Sequence, residues 1–171
     1  MSRLSHGISS GRADIALSPE RERGRSMCKA PPIRILLVDD FKPWRSFVLT
    51  MLEKEPAMLV VGTAMDGREA VERAENLQPD LILMDVSLPS LNGIESARQI
   101  TRTVGKAKII FLTQYRDPVV VQSAIAAGGQ GYVVKIDAVA ELAQAIEAVA
   151  QGRRYFSRGL LDSDISGNMN I

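Results

Sequence analysis

Histidine, cysteine and long apolar runs are nearly absent from this sequence of 171 residues. Its only histidine, His6, argues against a His-dependent catalytic triad or a histidine-rich metal centre. Its only cysteine, Cys28, can form neither an internal disulfide nor a zinc site, which points to a reducing compartment. Apolar runs such as residues 35–38 are far shorter than the roughly 18 residues of a membrane span, and no secretory signal is recognisable. We therefore expect a cytoplasmic protein without a membrane partner.

An excess of charge of one sign is also lacking. The 21 basic and 20 acidic residues leave a formal charge of +1, which gives the whole chain no electrostatic reason to bind nucleic acid. Hydrophobic residues make up 46% of the sequence and charged residues 24%, both ordinary for a globular protein with a packed core. The length predicts one domain plus an appendage of roughly 20–50 residues.

Three segments of different character follow one another along the chain. Residues 1–30 are rich in Ser, Arg and Gly, show neither period 2 nor period 3.6, and are predicted to be disordered. A basic arm that touches nucleic acid and a true translation start at Met27 are the alternatives for this segment. Residues 31–156 are predicted to form the domain, and residues 157–171 a short polar tail. Because that tail is too short for a helix-turn-helix domain, we expect no output domain and no specific DNA binding by this chain.

Short apolar runs alternate with amphipathic segments from residue 33 onwards, which is typical of buried parallel strands and their crossover helices. Strands are predicted at residues 33–38, 58–64, 80–84, 108–112 and 131–134. Helices are predicted at about 43–55, 68–76, 94–104 and 118–127, and a fifth has Asp137 as its N-cap and Gly152 as its stop. The pattern predicts an α/β doubly wound domain with five strands and five helices.

Polar side chains follow four of the predicted strands. These are Asp39 and Asp40, then Asp85, Thr113 and Lys135. In open parallel sheets the ligand crevice lies at the carboxyl ends of the strands, and a strand order of 2-1-3-4-5 makes the first and third strands neighbours there. An Asp after one strand can be ordinary turn chemistry, but four polar strand ends together indicate a site.

Electrostatics predicts what this cluster needs. Two carboxylates about 5 Å apart repel each other by roughly 3 kcal/mol at an effective dielectric near 20, and Lys135 offsets only part of the repulsion among Asp39, Asp40 and Asp85. A hard divalent cation such as Mg²⁺ prefers carboxylate oxygens and would offset the rest. Such a site also suits phosphoryl oxygens, and an Asp can attack phosphorus to form an acyl phosphate. The cluster therefore predicts phosphoryl chemistry on Asp85.

Four segments carry a resemblance to a known family: IRILLVDD, LILMDVSLPSLNG, IIFLTQYRD and GGQGYVVK. They resemble the signatures of the receiver domain of bacterial two-component response regulators, over about residues 33–157. The segment AIAAGGQGYVVKIDAVAELAQAIEAVAQGRRYFS is most similar to receivers of the NarL/FixJ type, which usually carry a C-terminal helix-turn-helix domain. The resemblance implies phosphorelay signalling and the flavodoxin-like fold, a five-stranded parallel sheet of order 2-1-3-4-5 with helices on both faces.

The same resemblance implies a Mg²⁺ site and a phosphoacceptor. Asp85 matches the phosphoacceptor, whose carboxylate also contacts the metal. Asp40 matches the direct metal ligand, and Asp39 matches the acid that holds the metal partly through water. Ser87 matches the position whose backbone carbonyl completes the metal site.

Three further roles are implied for the phosphorylated state. Thr113 matches the hydroxyl that bonds a phosphoryl oxygen, and Lys135 matches the ammonium that pairs with it. Tyr132 matches the aromatic switch residue that turns inward, although a strand aromatic packed on the fourth helix is the alternative. Many receivers have Pro after this Lys and a small residue after this Thr, whereas Ile136 and Gln114 stand here, so the loop and the access to the site are expected to differ.

The expected partners follow from the same family. The phosphodonor is expected to be a sensor histidine kinase or a phosphotransfer protein, and the output a downstream protein target or a homodimer. The chain would be no enzyme, with at most slow self-dephosphorylation. The enzyme alternative is a Mg²⁺-dependent phosphatase of the haloacid-dehalogenase type, which needs Asp at i and i+2, whereas Asp39 and Asp40 are adjacent and Phe41 follows. A flavodoxin would need a Ser/Thr/Gly-rich phosphate loop where DDFKPW stands.

Overall fold

The computed structural model describes residues 30–161. The predictions for the segment up to Ala30, including those that concern His6, Met27 and Cys28, lie outside the described residues apart from Ala30 itself, as does the tail beyond residue 161. Within the described part of the chain, no helix combines the length and the apolar character needed to cross a bilayer.

A parallel sheet of six strands in the order β2-β1-β3-β4-β5-β6 forms the centre of the fold. Its strands are β1 (Ile33–Val38), β2 (Met58–Ala64), β3 (Leu81–Met84), β4 (Lys108–Thr113), β5 (Gly129–Val134) and β6 (Tyr155–Phe156). The predicted doubly wound parallel sheet and its order 2-1-3-4-5 are confirmed, but the predicted number of five strands is wrong. The sixth strand pairs parallel to β5 at the sheet edge, with Tyr155 opposite Gly131 and Phe156 opposite Tyr132. A strand of two residues is too short to show a periodic pattern.

Helices cover both faces of the sheet, as predicted, but the described residues contain six α-helices rather than the predicted five, because a single turn follows the last strand. They are α1 (Lys42–Leu52), α2 (Gly67–Leu77), α3 (Gly93–Thr103), α4 (Pro118–Ala126), α5 (Ala138–Ala150) and α6 (Arg158–Leu161), with a 3₁₀ turn at Lys135–Asp137. Alternate residues of β1 face opposite sides: Ile35 and Leu37 pack in the core under α1 and α5, whereas Leu36 and Val38 pack in the core under α2, α3 and α4. Both layers are therefore needed to bury one strand.

The helix boundaries follow local chemistry. Asp66, Asn92 and Asp117 cap α2, α3 and α4, since each side chain accepts a hydrogen bond from a backbone N–H of the first turn. Asp137 stands at the predicted N-cap of α5, but its side chain makes no capping hydrogen bond. Its carboxylate instead accepts from Arg116 Nη2 at 3.1 Å. After α5, Gly152 adopts φ +85°, which favours glycine and ends the helix as predicted.

The segment that follows α5 is tied to the domain by a buried polar pair. Ser157 is fully buried; its N–H donates to Tyr132 O at 2.9 Å, and its Oγ accepts from Val134 N at 3.0 Å. The same Oγ donates to Glu141 Oε2 at 2.6 Å, which links β5 to α5. Leu160 then packs into the core beside Tyr132. The packed structure therefore continues beyond β6 to at least Leu160.

We expect Ser157→Ala to lower the free energy of unfolding by about 2 kcal/mol, because it leaves the buried Glu141 carboxylate and the Val134 N–H without this partner. Ser123→Ala is the matched control, since Ser123 is only half-buried and its hydroxyl donates to a carbonyl one turn back. It should change stability by less than about 0.5 kcal/mol. Urea denaturation measures both variants, and equal losses would contradict the assignment.

Candidate functional site

The predicted site residues lie at the carboxyl ends of four strands. Asp39 and Asp40 follow β1, Asp85 follows β3, Thr113 ends β4 and Lys135 follows β5. Strand β1 pairs with β2 on one side and β3 on the other, so the chain reverses its direction of winding at this point. This is where open α/β sheets form their ligand crevice.

Three carboxylates meet at this crevice. One carboxylate oxygen from each of Asp39, Asp40 and Asp85 lies within 4.8 Å of the others. Asp39 and Asp85 are 2% and 5% exposed, whereas Asp40 is exposed to solvent. Two desolvated acids and one solvated acid form an oxygen-rich site that is open on one side, which suits a hard divalent cation that keeps some of its water.

Lys135 bridges the two buried acids. Its Nζ donates to Asp39 Oδ2 at 2.6 Å and to Asp85 Oδ2 at 2.7 Å. Burial raises the pKa of Asp39 above its ordinary value, although the bond from Lys135 opposes that rise. Burial alone would lower the pKa of Lys135, but the bonds to both carboxylates outweigh burial and raise that pKa. The lysine is therefore fixed as an ammonium between the two acids.

The loop after β1 holds Asp39 in place through two contacts. Asp39 Oδ1 accepts from Phe41 N at 2.8 Å, and the Asp39 backbone carbonyl accepts from Arg45 Nη1 at 2.6 Å. Sequence reasoning missed Arg45. Its signal was a cation in the first turn of α1, where the helix dipole disfavours positive charge and a specific partner is needed.

The loop after β3 also fixes the position of Asp85. Asp85 N donates to Val38 O at 3.0 Å, and Asp85 Oδ1 accepts from Ser87 N at 3.3 Å. Gly93 begins α3 directly against this loop, where a Cβ would lie 1.8 Å from the Asp85 carbonyl oxygen. Only glycine fits there without moving the loop, and sequence reasoning did not assign Gly93 this role.

Thr113 and Tyr132 are buried next to the crevice rather than exposed in it. Thr113 is fully buried, and its hydroxyl has no hydrogen-bond partner among residues 30–161. Tyr132 is fully buried as well; it packs on Phe111 in the core that includes Val121 of α4, and burial raises its pKa. Its hydroxyl donates to Tyr115 O at 3.0 Å, in the loop that follows Thr113. Tyr132 therefore connects β5 to the loop between β4 and α4.

An open cleft of about 580 Å³ leads to the acids. It is lined by Asp40, Phe41, Pro43, Trp44, Phe47, Asp85, Ser87, Gln114 and Lys135. Phe41 and Phe47 are 62% and 42% exposed, so one wall of the cleft is aromatic. Ser87 also contacts the β4–α4 loop, since its Oγ and the Tyr115 hydroxyl are 2.8 Å apart and form a hydrogen bond.

Comparison with known proteins identifies the family that has this geometry. Residues 35–147 match the family described as the response regulator receiver domain. The chain belongs to this family. The match covers the acidic crevice and all five predicted strands except the first residues of β1. It gives no support to the phosphatase alternative.

The relatives place the receiver among NarL- and LuxR-type regulators, as predicted. It is 42% identical over 137 residues to the transcriptional regulatory protein LiaR of Bacillus subtilis (strain 168), covering 80% of this chain and 63% of the relative. It is 36% identical over 139 residues to the response regulator UvrY of Escherichia coli (strain K12), covering 81% and 62%. The chain thus spans less than two thirds of the length of these relatives.

Solved structures agree. A LuxR-family two-component response regulator from Aurantimonas sp. SI85-9A1 has a TM-score of 0.73 and 38% identity, covering 76% of this receiver and 93% of that chain. The signal receiver domain of the putative response regulator NarL from Mycobacterium tuberculosis has a TM-score of 0.69 and 26% identity, covering 72% and 100%.

We expect Mg²⁺ to change the fluorescence of Trp44 in a saturable way, because the ring lies 5.6 Å from the Lys135 ammonium that contacts two of the three acids. Asp40→Ala should abolish the change while leaving the fold intact. Asp80→Asn should keep it, since Asp80 lies at the opposite end of β3. A saturable change that persists in Asp40→Ala and in Asp85→Ala would place the metal elsewhere.

Proposed function

We propose that this receiver is a Mg²⁺-dependent phosphoacceptor in which Asp85 accepts the phosphoryl group. The donor is the phosphohistidine of a sensor histidine kinase or of a phosphotransfer protein. The observation that carries the proposal is the Lys135 ammonium held between the buried carboxylates of Asp85 and Asp39. A structural ion pair needs one acid, whereas a surplus of acids provides the ligands of a divalent cation. The cation and the ammonium together then supply the positive charge that phosphoryl oxygens need.

The residues present fit Mg²⁺. Three carboxylates within 4.8 Å offer hard oxygen ligands, and two of them are withdrawn from water. We assign Asp39, Asp40 and Asp85 as its carboxylate ligands and the backbone carbonyl of Ser87 as a further ligand. When bound, the cation supplies the positive charge that balances these acids together with Lys135, and it polarises phosphoryl oxygens.

The protein's own groups account for the transfer. An Asp85 carboxylate oxygen attacks phosphorus as the P–N bond of the phosphohistidine breaks, and the bonding electrons return to the imidazole of the donor. Lys135 pairs with a phosphoryl oxygen. In the unphosphorylated protein the same ammonium pairs with the Asp85 carboxylate. The Thr113 hydroxyl donates to another phosphoryl oxygen. Hydrolysis of the resulting acyl phosphate is proposed to be slow, since the remaining carboxylates of Asp39 and Asp40 are assigned to the metal rather than to activation of a water.

The signal is proposed to leave through the β4–α4 loop. Thr113 ends β4, and two residues later the Tyr115 carbonyl accepts the Tyr132 hydroxyl. A movement of Thr113 toward the phosphoryl group therefore shifts the residue that Tyr132 bonds, which is the switch role proposed for Thr113 and Tyr132. The output is a downstream protein or a second copy that contacts α4, β5 and α5, where Val119 and Val139 are exposed. The nearly neutral charge supports a protein partner over nucleic acid.

Incubation with Mg²⁺ and acetyl phosphate should add one phosphoryl group to the protein, and Asp85→Asn should add none. The amide keeps the shape of the carboxylate but is not a nucleophile for phosphorus. Asp80→Asn is the matched control, since Asp80 precedes β3 and Asp85 follows it, and this variant should be labelled like the unsubstituted protein. Intact-protein mass spectrometry gives the stoichiometry. Labelling of Asp85→Asn at the unsubstituted level would show that another residue is the acceptor.

A further inference from the structure

The single tryptophan of the chain lies beside Lys135 of the proposed site. Trp44 lies in the first turn of α1, and the Lys135 Nζ is 5.6 Å from the centroid of its ring. Phe47 packs against Trp44, with the centroids of the two rings 5.3 Å apart. Trp44 and Lys135 both line the cleft that leads to Asp85.

Packing alone does not explain why a tryptophan occupies position 44. Its Nε1–H is buried and has no hydrogen-bond partner among the described residues 30–161, which costs stability. A leucine or a phenylalanine could pack beside Phe47 without burying an unpaired donor. What tryptophan adds over these residues is the face with the strongest attraction for a cation.

Lys135 needs such a restraint because it has two tasks. In this structure its ammonium contacts Asp39 and Asp85, and in the proposed reaction it must pair with a phosphoryl oxygen. The two carboxylates hold the ammonium only at the position where it bonds to them. An aromatic face attracts the ammonium without a fixed bonding direction, so it tolerates a shift from one partner to the other.

We propose that Trp44 is a positioning residue that holds the Lys135 ammonium at the wall of the cleft through a cation–π interaction. The proposal rests on the proposed phosphoacceptor function. Trp44 itself does not touch the reacting atoms; it acts through Lys135. Trp44 is expected to raise the rate of phosphoryl transfer, because a lysine already oriented at the cleft loses less conformational entropy when the phosphoryl group arrives.

Trp44 is the only tryptophan of the chain, so fluorinated tryptophans replace this one ring and no other. Fluorine changes the volume of the ring little and withdraws electron density from its face. With one to four fluorines, the initial rate of Asp85 phosphorylation by acetyl phosphate should fall stepwise, by roughly two- to fivefold in total. The free energy of unfolding is measured on the same samples.

Two variants complete the test. Trp44→Phe keeps a weaker aromatic face and should retain more of the rate than Trp44→Leu, which keeps apolar volume without a face. Grown on the fluorinated medium, Trp44→Phe should show no fluorine effect. In Lys135→Met the fluorine series should be flat, because the cation is gone.

The outcomes separate the two proposals. A flat fluorine series in a protein that is phosphorylated at Asp85 would overturn the role of Trp44 and leave the phosphoacceptor function standing. A fall in rate that follows the loss of unfolding free energy rather than the number of fluorines would show a packing role and would overturn it too. An unsubstituted protein that accepts no phosphoryl group would refute the proposed function, and with it the role of Trp44.

Discussion

Repulsion between two buried carboxylates is the constraint on which the rest of this structure depends. Asp39 and Asp85 are almost withdrawn from water, and Lys135 lies between them at 2.6 and 2.7 Å. Without that ammonium, two such charges about 5 Å apart would cost roughly 3 kcal/mol at an effective dielectric near 20. The two carboxylates are therefore tolerated because Lys135, which follows β5, reaches both of them. The strand order makes β1 and β3 neighbours and places β5 in the same sheet, so all three residues lie at one edge.

The loops around the acids resist the movement that repulsion favours. Asp39 is held by the Phe41 amide and by Arg45, and Asp85 by the Ser87 amide and by the close approach of Gly93. These contacts fix the backbone that carries each carboxylate, so the acids are already spaced for a cation. A site assembled in advance does not spend binding free energy on ordering its ligands.

The sequence predicts what depends on local pattern, and it misses what depends on distant side chains. The buried strand β1 gives a continuous apolar run and the partly exposed edge strand β2 a mostly apolar one, so the sequence predicts both to the residue, and the acids follow from the strand ends. Strand β6, the bond from Arg45 to the Asp39 carbonyl, and the buried bond between Ser157 and Glu141 leave no periodic trace, because each depends on a neighbour supplied by the fold. Asp137 shows the reverse case: its position was predictable, but Arg116 takes the carboxylate expected to cap α5.

In the proposed function, Thr113 connects the acidic site to the β4–α4 loop. Among residues 30–161 its hydroxyl is buried without a partner, whereas the neighbouring Tyr132 hydroxyl is paired with Tyr115 O. An unsatisfied buried hydroxyl costs about 1–3 kcal/mol, and a phosphoryl oxygen on Asp85 within reach would recover that cost. This is the size of the coupling free energy, about 1–3 kcal/mol, that typically links two sites in allosteric proteins. In the proposed function, the free energy recovered when the Thr113 hydroxyl gains a phosphoryl partner would therefore be sufficient to shift the β4–α4 loop, whose Tyr115 carbonyl accepts the Tyr132 hydroxyl.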